Sequence, residues 1–185
     1  FAESVSMKDA LRIGVVFSGG GYRAMVLSLG YARALAKMGI WDATSYISTL
    51  SGSTWFLSVL MKVAEANKDV TSSVEMFEKT TEHFANKIKN DTFAMIKKTS
   101  VAPATKNFVQ NAFWSFVDNV LWPKFIFQRP ITSVDIYGGL LAQTLLSDLP
   151  GDPQQRRLSD EWETIKDGKW PLPIRTSVSM VKEGT

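Results

Sequence analysis

The sequence contains no cysteine and only one histidine. Without cysteine the chain can form neither a disulfide framework nor a thiolate metal site, and a reducing compartment is favoured over a secreted one. Histidine is the side chain that most often takes a proton in catalysis. Any chemistry that requires a histidine base therefore depends on His83 alone.

Long apolar runs and a strong charge imbalance are also missing. No run reaches the roughly 20 apolar residues that cross a bilayer, and the opening FAESVSMKDA has no signal-peptide core. The net charge of +3 is too small and too evenly spread to indicate nucleic-acid binding. With 185 residues, 45% of them hydrophobic, the chain is predicted to be one soluble globular domain, and its start at Phe1 suggests a fragment or a processed chain.

Two strand-turn-helix units follow each other near the N-terminus. The apolar run LRIGVVF, residues 11–17, stops at three glycines and predicts a strand buried on both faces of a parallel sheet. Apolar spacing predicts a helix over 22–37, after which a strand over 44–49 and a helix over 54–66 repeat the pattern. Two such units predict an α/β fold with a mainly parallel sheet.

The rest of the chain is less regular. Ser72 followed by Glu75 resembles a capping box that opens a polar helix. The aromatic-rich stretch 91–130 is interpreted as a helical insertion on the core, with a lid or an apolar rim that meets lipid as the alternative. A further helix is predicted over 135–146 and a further strand over 170–181.

Both early strands end in a turn of small residues. SGGGYRAM, residues 18–25, fits no nucleotide-binding pattern, which leaves either a tight structural turn or a set of N–H donors that can stabilise an oxyanion. STLSGSTW, residues 48–55, contains TLSGS, where a serine can sit on a sharp elbow, although Thr49 replaces the usual first glycine. Because parallel strands end at one edge of a sheet, we expect the two turns to lie together.

SGGGYRAM and, about thirty residues later, LSGSTW resemble the catalytic domain shared by group IV cytosolic phospholipase A2 and the fungal-type phospholipase B/lysophospholipases. DIYGGLL and PLPIRT resemble later segments of that family in the same order. The resemblance runs from about Arg12 to the end of the chain and is weakest over 90–130. It implies that 1–185 is the N-terminal part of a three-layer α/β/α, patatin-like catalytic domain.

For the serine turn, the resemblance implies a nucleophile. Ser51 corresponds to the serine of a serine-aspartate dyad, which attacks a phospholipid ester and forms an acyl-enzyme that water then hydrolyses. His83 matches no catalytic position of the family and is expected at the surface. Ser48 and Ser53 are interpreted as structural, and Trp55 is expected to pack beneath the elbow.

For the glycine turn, the resemblance implies oxyanion and phosphate binding. Gly20 and Gly21 correspond to the residues whose N–H groups form the oxyanion hole, and the N–H of Gly52 is a candidate for a third donor. Arg23 corresponds to the arginine that holds the substrate phosphate, since a guanidinium makes bidentate contacts with phosphate. The alternative for Arg23 is an ion pair on the helix surface.

Two features depart from the family pattern. The family's catalytic aspartate lies beyond the segment that resembles PLPIRT, and no aspartate of this chain has a similar context. We therefore expect the remaining part of the catalytic domain elsewhere, and an isolated chain would leave apolar sheet edges uncovered. Thr49 is expected to strain the elbow mildly. The calcium-binding lipid-targeting domain of many animal members has no counterpart here, so calcium dependence is not carried over.

The resemblance implies a carboxylic ester hydrolase, a phospholipase A2 or lysophospholipase, that needs no metal or organic cofactor. Its substrate would be a phospholipid or lysophospholipid, met at a membrane or micelle surface from the cytoplasm. The aromatic stretch and its basic neighbours Lys106, Lys124 and Arg129 are candidates for that contact. Two alternatives stay open: a non-catalytic lipid-binding or regulatory relative, and an acyltransferase that uses the same acyl-enzyme.

Overall fold

The computed structural model describes residues 12–88, 114, 116–128, 130–153 and 157–176. These residues contain one parallel sheet whose strands, in spatial order, are β1 (Ile13–Phe17), β2 (Thr44–Leu50) and β3 (Leu172–Thr176). The predicted α/β class with a parallel sheet is confirmed.

Helices connect and cover these strands. They are α1 (Gly21–Lys37), α2 (Gly52–Ala66), α3 (Ser73–Ile88), α4 (Trp122–Ile126), α5 (Ser133–Leu146) and α6 (Trp162–Ile165). A π-helical turn, Val117–Leu121, precedes α4, and a 3-10 turn, Leu158–Glu161, precedes α6. The helices predicted from apolar spacing are confirmed, and α3 opens with the predicted hydrogen bond from Glu75 N–H to Ser72 Oγ, 3.4 Å. Most of the stretch 91–130 lies outside the described residues.

The core lies between one face of the sheet and α1, α2 and α3. Ile47 on β2, Phe56 on α2 and Phe77 on α3 are each fully buried. Phe17 at the end of β1 meets Phe56 edge to face with ring centroids 6.0 Å apart. The apolar faces of the two strand-turn-helix units therefore form one cluster, and this cluster fixes how the two turns approach each other.

In the described part of the chain the opposite face of the sheet is exposed, so β1 is buried there on one face and not, as predicted, on both. Val16 of β1 is 76% exposed, and Ile174, on the same face of β3, is 46% exposed. An uninterrupted apolar run is typical of a strand covered on both sides, which is why the pattern misled. In the described part of the chain, helices cover one face only, and the second helical layer of the expected three-layer fold would lie on the open one.

The C-terminal end of α5 is bound to α3. His83 Nε2 donates a hydrogen bond to the carbonyl of Leu145 at 2.7 Å. One turn further along α3, Lys87 Nζ lies 3.1 Å from Ser147 Oγ and 2.5 Å from a carboxylate oxygen of Asp148. His83 thus satisfies one of the carbonyls that the helix end leaves unpaired, and Lys87 adds a cation at the negative end of the helix dipole. His83 is therefore half-buried with a structural partner, which corrects its prediction as a surface residue.

A buried ion pair holds β3 in place. The guanidinium of Arg175 pairs with the carboxylate of Glu161, which is 3% exposed, and also donates to Ser58 Oγ on α2 at 2.7 Å. The next residue, Thr176, donates from its hydroxyl to the carbonyl of Thr49 at 3.1 Å. These bonds fix the end of β3 beside the end of β2, where the serine turn begins.

Candidate active site

The serine turn holds Ser51 in a strained conformation. Ser51 lies between β2 and α2 with φ 55° and ψ −124°. A residue with a side chain in this region carries a strain of about 1–3 kcal/mol, and such strain persists only where the surroundings impose it. Ser51 is exposed. A strained, exposed serine at a strand-to-helix turn is the sharp elbow that TLSGS predicted.

The strain falls on Ser51 and not on Thr49. Thr49 lies inside β2 with no positive φ, and it is 1% exposed. Its hydroxyl accepts a hydrogen bond from the hydroxyl of Thr54 at 3.2 Å. The side chain that replaces the usual glycine is thus packed and hydrogen-bonded beneath the turn, and no backbone strain at Thr49 is evident.

The glycine turn uses conformations that other residues disfavour. Gly20 has φ 143° and Gly21 has φ 61°. A side chain is strained at these angles, whereas glycine adopts them freely. Because α1 begins at Gly21, the first N–H groups of the helix have no acceptor within it and are available to an anion.

The two turns are in direct contact. A methyl group placed on Gly19 would lie 3.0 Å from Ser51 Cβ and 3.6 Å from Ser51 Oγ. One placed on Gly52 would overlap the carbonyl oxygen of Gly21 and lie 2.6 Å from its carbonyl carbon. Ser51 therefore leaves little room for a side chain at position 19, and the backbone of Gly21 leaves none at position 52. The expectation that both turns meet at one edge of the sheet is confirmed.

One buried hydroxyl joins the ends of both strands. Ser53 is fully buried in the first turn of α2, and its Oγ accepts a hydrogen bond from Leu50 N–H at 2.9 Å. The same oxygen lies 2.9 Å from the carbonyl of Leu50 and 3.1 Å from the carbonyl of Phe17, and it can donate to one of them at a time. Its structural interpretation is confirmed. The contact of Ser53 with Phe17, 36 residues earlier, was not predicted from the sequence.

Arg23 stands exposed in the first turn of α1. Among the residues that the structure describes, it forms no ion pair, so the alternative of a surface salt bridge is not supported. With Gly19 and Gly20 it lines an open groove of about 710 Å³ whose other walls include Leu27 and Tyr31. The first turn contains no acidic residue, so the guanidinium and the helix N-terminus both favour an anion here.

Three aromatic rings connect the two turns to α5. Trp55 of α2 is half-buried, and its ring lies 5.6 Å from that of Tyr22 on α1 and 6.1 Å from that of Tyr137 on α5. Burial, and secondarily the neighbouring phenol of Tyr22, raises the pKa of Tyr137 above its usual value. Tyr137 therefore stays a neutral phenol near neutral pH and packs as an aromatic side chain.

The described ranges contain neither a metal-binding cluster nor a helix suited to a bilayer. In those ranges, no group of acidic or histidine side chains is arranged to hold a metal ion. None of the helices found there combines the length and the apolar character that crossing a bilayer requires.

Residues 13–185 match the model of the lysophospholipase catalytic domain family, and the chain belongs to that family. Lysophospholipase 2 of Candida albicans is 28% identical over 173 residues, which are 88% of this chain and 26% of that protein. The chain thus spans about a quarter of the length of this curated relative.

Solved structures of human GIVD cytosolic phospholipase A2 have the same fold. One, in complex with methyl gamma-linolenyl fluorophosphonate, has a TM-score of 0.67 and 22% identity and covers 96% of this chain and 23% of its own. A second structure of the same enzyme also has a TM-score of 0.67 and 22% identity and covers 95% of this chain and 20% of its own. At this identity the likeness shows the fold, which is patatin-like α/β.

Proposed function

We propose that the protein containing this chain hydrolyses the acyl esters of glycerophospholipids or lysophospholipids through an acyl-enzyme on Ser51. The observation that carries the proposal is the strained, exposed Ser51 in direct contact with the glycine turn, in a chain of the lysophospholipase family. A backbone held in a disfavoured conformation beside an anion-binding turn is typical of a nucleophile in acyl transfer.

The reaction proceeds in two halves. Ser51 Oγ attacks the ester carbonyl, its proton passes to a base, and the alcohol portion of the lipid leaves with a proton as the acyl-enzyme forms. Water then attacks the acyl group, which releases a fatty acid and restores the serine. No carboxylate of the described residues bonds to Ser51, and the family resemblance assigns the base to an aspartate outside them.

The glycine turn would stabilise the oxyanion of both halves. The N–H groups of Gly20 and Gly21 belong to the turn that lies against Ser51, and Gly52 N–H opens α2 beside them. Fixed donors of this kind act on charge that develops in the transition state, and losing one typically raises the barrier by about 3 kcal/mol. Their positions are set by contacts between the two turns, before substrate arrives.

Arg23 would bind the phosphate of the head group. It is an exposed cation at a helix N-terminus, with no partner among the described side chains and with apolar groove walls beside it. A phospholipid offers an anionic group next to apolar chains, which fits this combination.

A lipid surface would deliver the substrate through the apolar side chains around α4. Trp122, Phe125 and Phe127, which we call the aromatic rim, are 58%, 71% and 70% exposed. Exposed apolar patches of this kind are typical of interaction sites, and aromatic rings suit the membrane interface. Lys124 points to Asp135 instead, at 2.6 Å, so its predicted part in lipid contact is weakened. Lys106 and Arg129 lie outside the described residues.

Further parts of the protein would cover the open face of the sheet. Val16 and Ile174 expose apolar surface that monomeric proteins usually bury. The Candida albicans relative is about four times longer than the region matched here. A chain of that length has further residues that can form a second helical layer and supply the base.

A fluorophosphonate probe tests the proposed nucleophile, since it reacts covalently with an activated serine. We expect the complete protein, as its gene encodes it, to be labelled at Ser51 and to release fatty acid from phospholipid or lysophospholipid vesicles. Ser51→Ala should abolish both, while the matched control Ser48→Ala, on the strand that leads to Ser51, should retain them. Absence of labelling in the wild type would favour a non-catalytic lipid-binding relative, and acyl transfer to an added alcohol at the expense of fatty acid would indicate an acyltransferase.

A further inference from the structure

We propose that Ser53 is a positioning residue that sets the distance between the nucleophile and the oxyanion donors. This inference rests on the proposed function of Ser51. The Ser53 hydroxyl touches the backbone of both strand ends, Leu50 and Phe17, at distances of 2.9–3.1 Å, and it is fully buried. It does not touch the substrate site itself.

The Ser53 hydroxyl can affect both turns because the backbone groups that it contacts lie next to them. Leu50 is bonded covalently to Ser51, so the Leu50 N–H that Ser53 accepts from lies one residue before the nucleophile. Phe17 ends β1, and the glycine turn begins two residues later. A single oxygen atom therefore ties the backbone that leads into the serine turn to the backbone that leads into the glycine turn.

Local helix capping does not explain this arrangement. A serine in the first turn of a helix usually bonds the backbone of that same turn, as the Ser72 hydroxyl does with Glu75 N–H. Ser53 bonds locally to Leu50, three residues earlier, but its oxygen also lies 3.1 Å from the carbonyl of Phe17 on the neighbouring strand. Because Ser53 is fully buried, removing its hydroxyl takes away the acceptor of Leu50 N–H and the donor that the carbonyls of Leu50 and Phe17 share.

The consequence is kinetic. Catalysis depends on the geometry between reacting groups, and a displacement of about 1 Å can lower the rate about a hundredfold. Without the Ser53 hydroxyl the two turns keep their glycine contacts and the core beneath them but lose the hydrogen bonds at the ends of the two strands. We expect the rate of acylation to fall by about tenfold or more, with little change in substrate affinity, since Ser53 does not contact the lipid.

The test measures the rate and the end-point of fluorophosphonate labelling separately in the complete protein. Ser53→Ala should be labelled at Ser51 to the same end-point as the wild type, but the labelling rate should be lower by about tenfold or more. A purely structural role would lower the end-point through unfolded protein and leave the rate of the folded fraction unchanged. Thr80→Val is the matched control, because it removes another fully buried hydroxyl, in α3, that bonds only its own helix.

Ser53→Cys covers the case in which Ser53→Ala does not fold, since a thiol fills the same space but bonds weakly. The same slow labelling of Ser53→Cys would support the positioning role. Wild-type rates in either folded Ser53 variant would overturn it while leaving the proposed function intact. Absence of Ser51 labelling in the wild type would overturn the proposed function, and the positioning role with it.

Discussion

Gly52→Ala is expected to push the glycine turn away from the serine turn. The added methyl group would overlap the carbonyl oxygen of Gly21 and lie 2.6 Å from its carbonyl carbon and 2.9 Å from its Cα. Carbon atoms in normal contact are about 3.5 Å apart or more, so the backbones must separate by about 1 Å. The atoms in the way are backbone, so no side-chain rotation can relieve the overlap.

A displacement of this size predicts two measurable losses. Overpacking of a tight site lowers the free energy of unfolding by about 1–3 kcal/mol. Moving oxyanion donors by about 1 Å lowers the rate of attack by about a hundredfold. The loss of rate should therefore exceed what partial unfolding explains, because the enzyme that remains folded is itself slow.

The assay is the rate of fluorophosphonate labelling, combined with urea unfolding of the same samples. Gly30→Ala is the matched control, because a methyl group there meets nothing within 4 Å in the middle of α1. That control should label at the wild-type rate and gain about 0.5–1 kcal/mol of stability. A Gly52→Ala protein that labels as fast as Gly30→Ala would refute the inferred contact between the two turns.

Two predictions concern ion pairs away from the turns. Glu161→Ala leaves the Arg175 guanidinium buried without its carboxylate and should lower the free energy of unfolding, measured in urea, by about 3 kcal/mol. Replacing both residues by Met should recover part of that loss. An equal loss in the single and the double variant would contradict this prediction. The carboxylate of Asp135, hydrogen-bonded by Lys124 and Thr132, has its pKa lowered from 3.8 to about 2. The stabilisation by the charged carboxylate is therefore present above pH 3.8 and lost as the pH falls to about 2. Asp135→Asn should make the urea midpoint depend less on pH in that window. The same pH dependence in the variant and the wild type would contradict this prediction.

The juxtaposition of the two turns was predictable because it follows from local pattern and topology. Glycines after one strand and a serine elbow after the next are both visible in the sequence, and parallel strands bring their ends to one edge. The structural role of Ser53 was predicted, but its contact with Phe17 was not, because a serine in a first helical turn usually bonds locally. Its signal, once seen, is that it lies two residues after the elbow serine, close to both strand ends.

Contacts between distant segments were not predictable from pattern. His83 was assigned to the surface because α3 is polar, yet its ring bonds the carbonyl of Leu145, 62 residues later. Val16 belongs to a strand, residues 13–17, that has no charged or hydrogen-bonding side chain, and such a strand does not reveal which of its faces is covered. In both cases the burial of the residue depends on segments that are distant in the sequence.

The two ends of α5 are attached to different helices. His83 and Lys87 hold only the last turn of α5, whereas its first half meets α2 through the ring of Tyr137 against Trp55. The Lys124–Asp135 ion pair joins the aromatic rim to the first turn of α5, so a displacement of the rim is expected to change the contact between Tyr137 and Trp55. Trp55 lies in the first turns of α2, four residues after Ser51. With the other tryptophans replaced, a change in Trp55 fluorescence on addition of vesicles would then report membrane binding close to the serine turn.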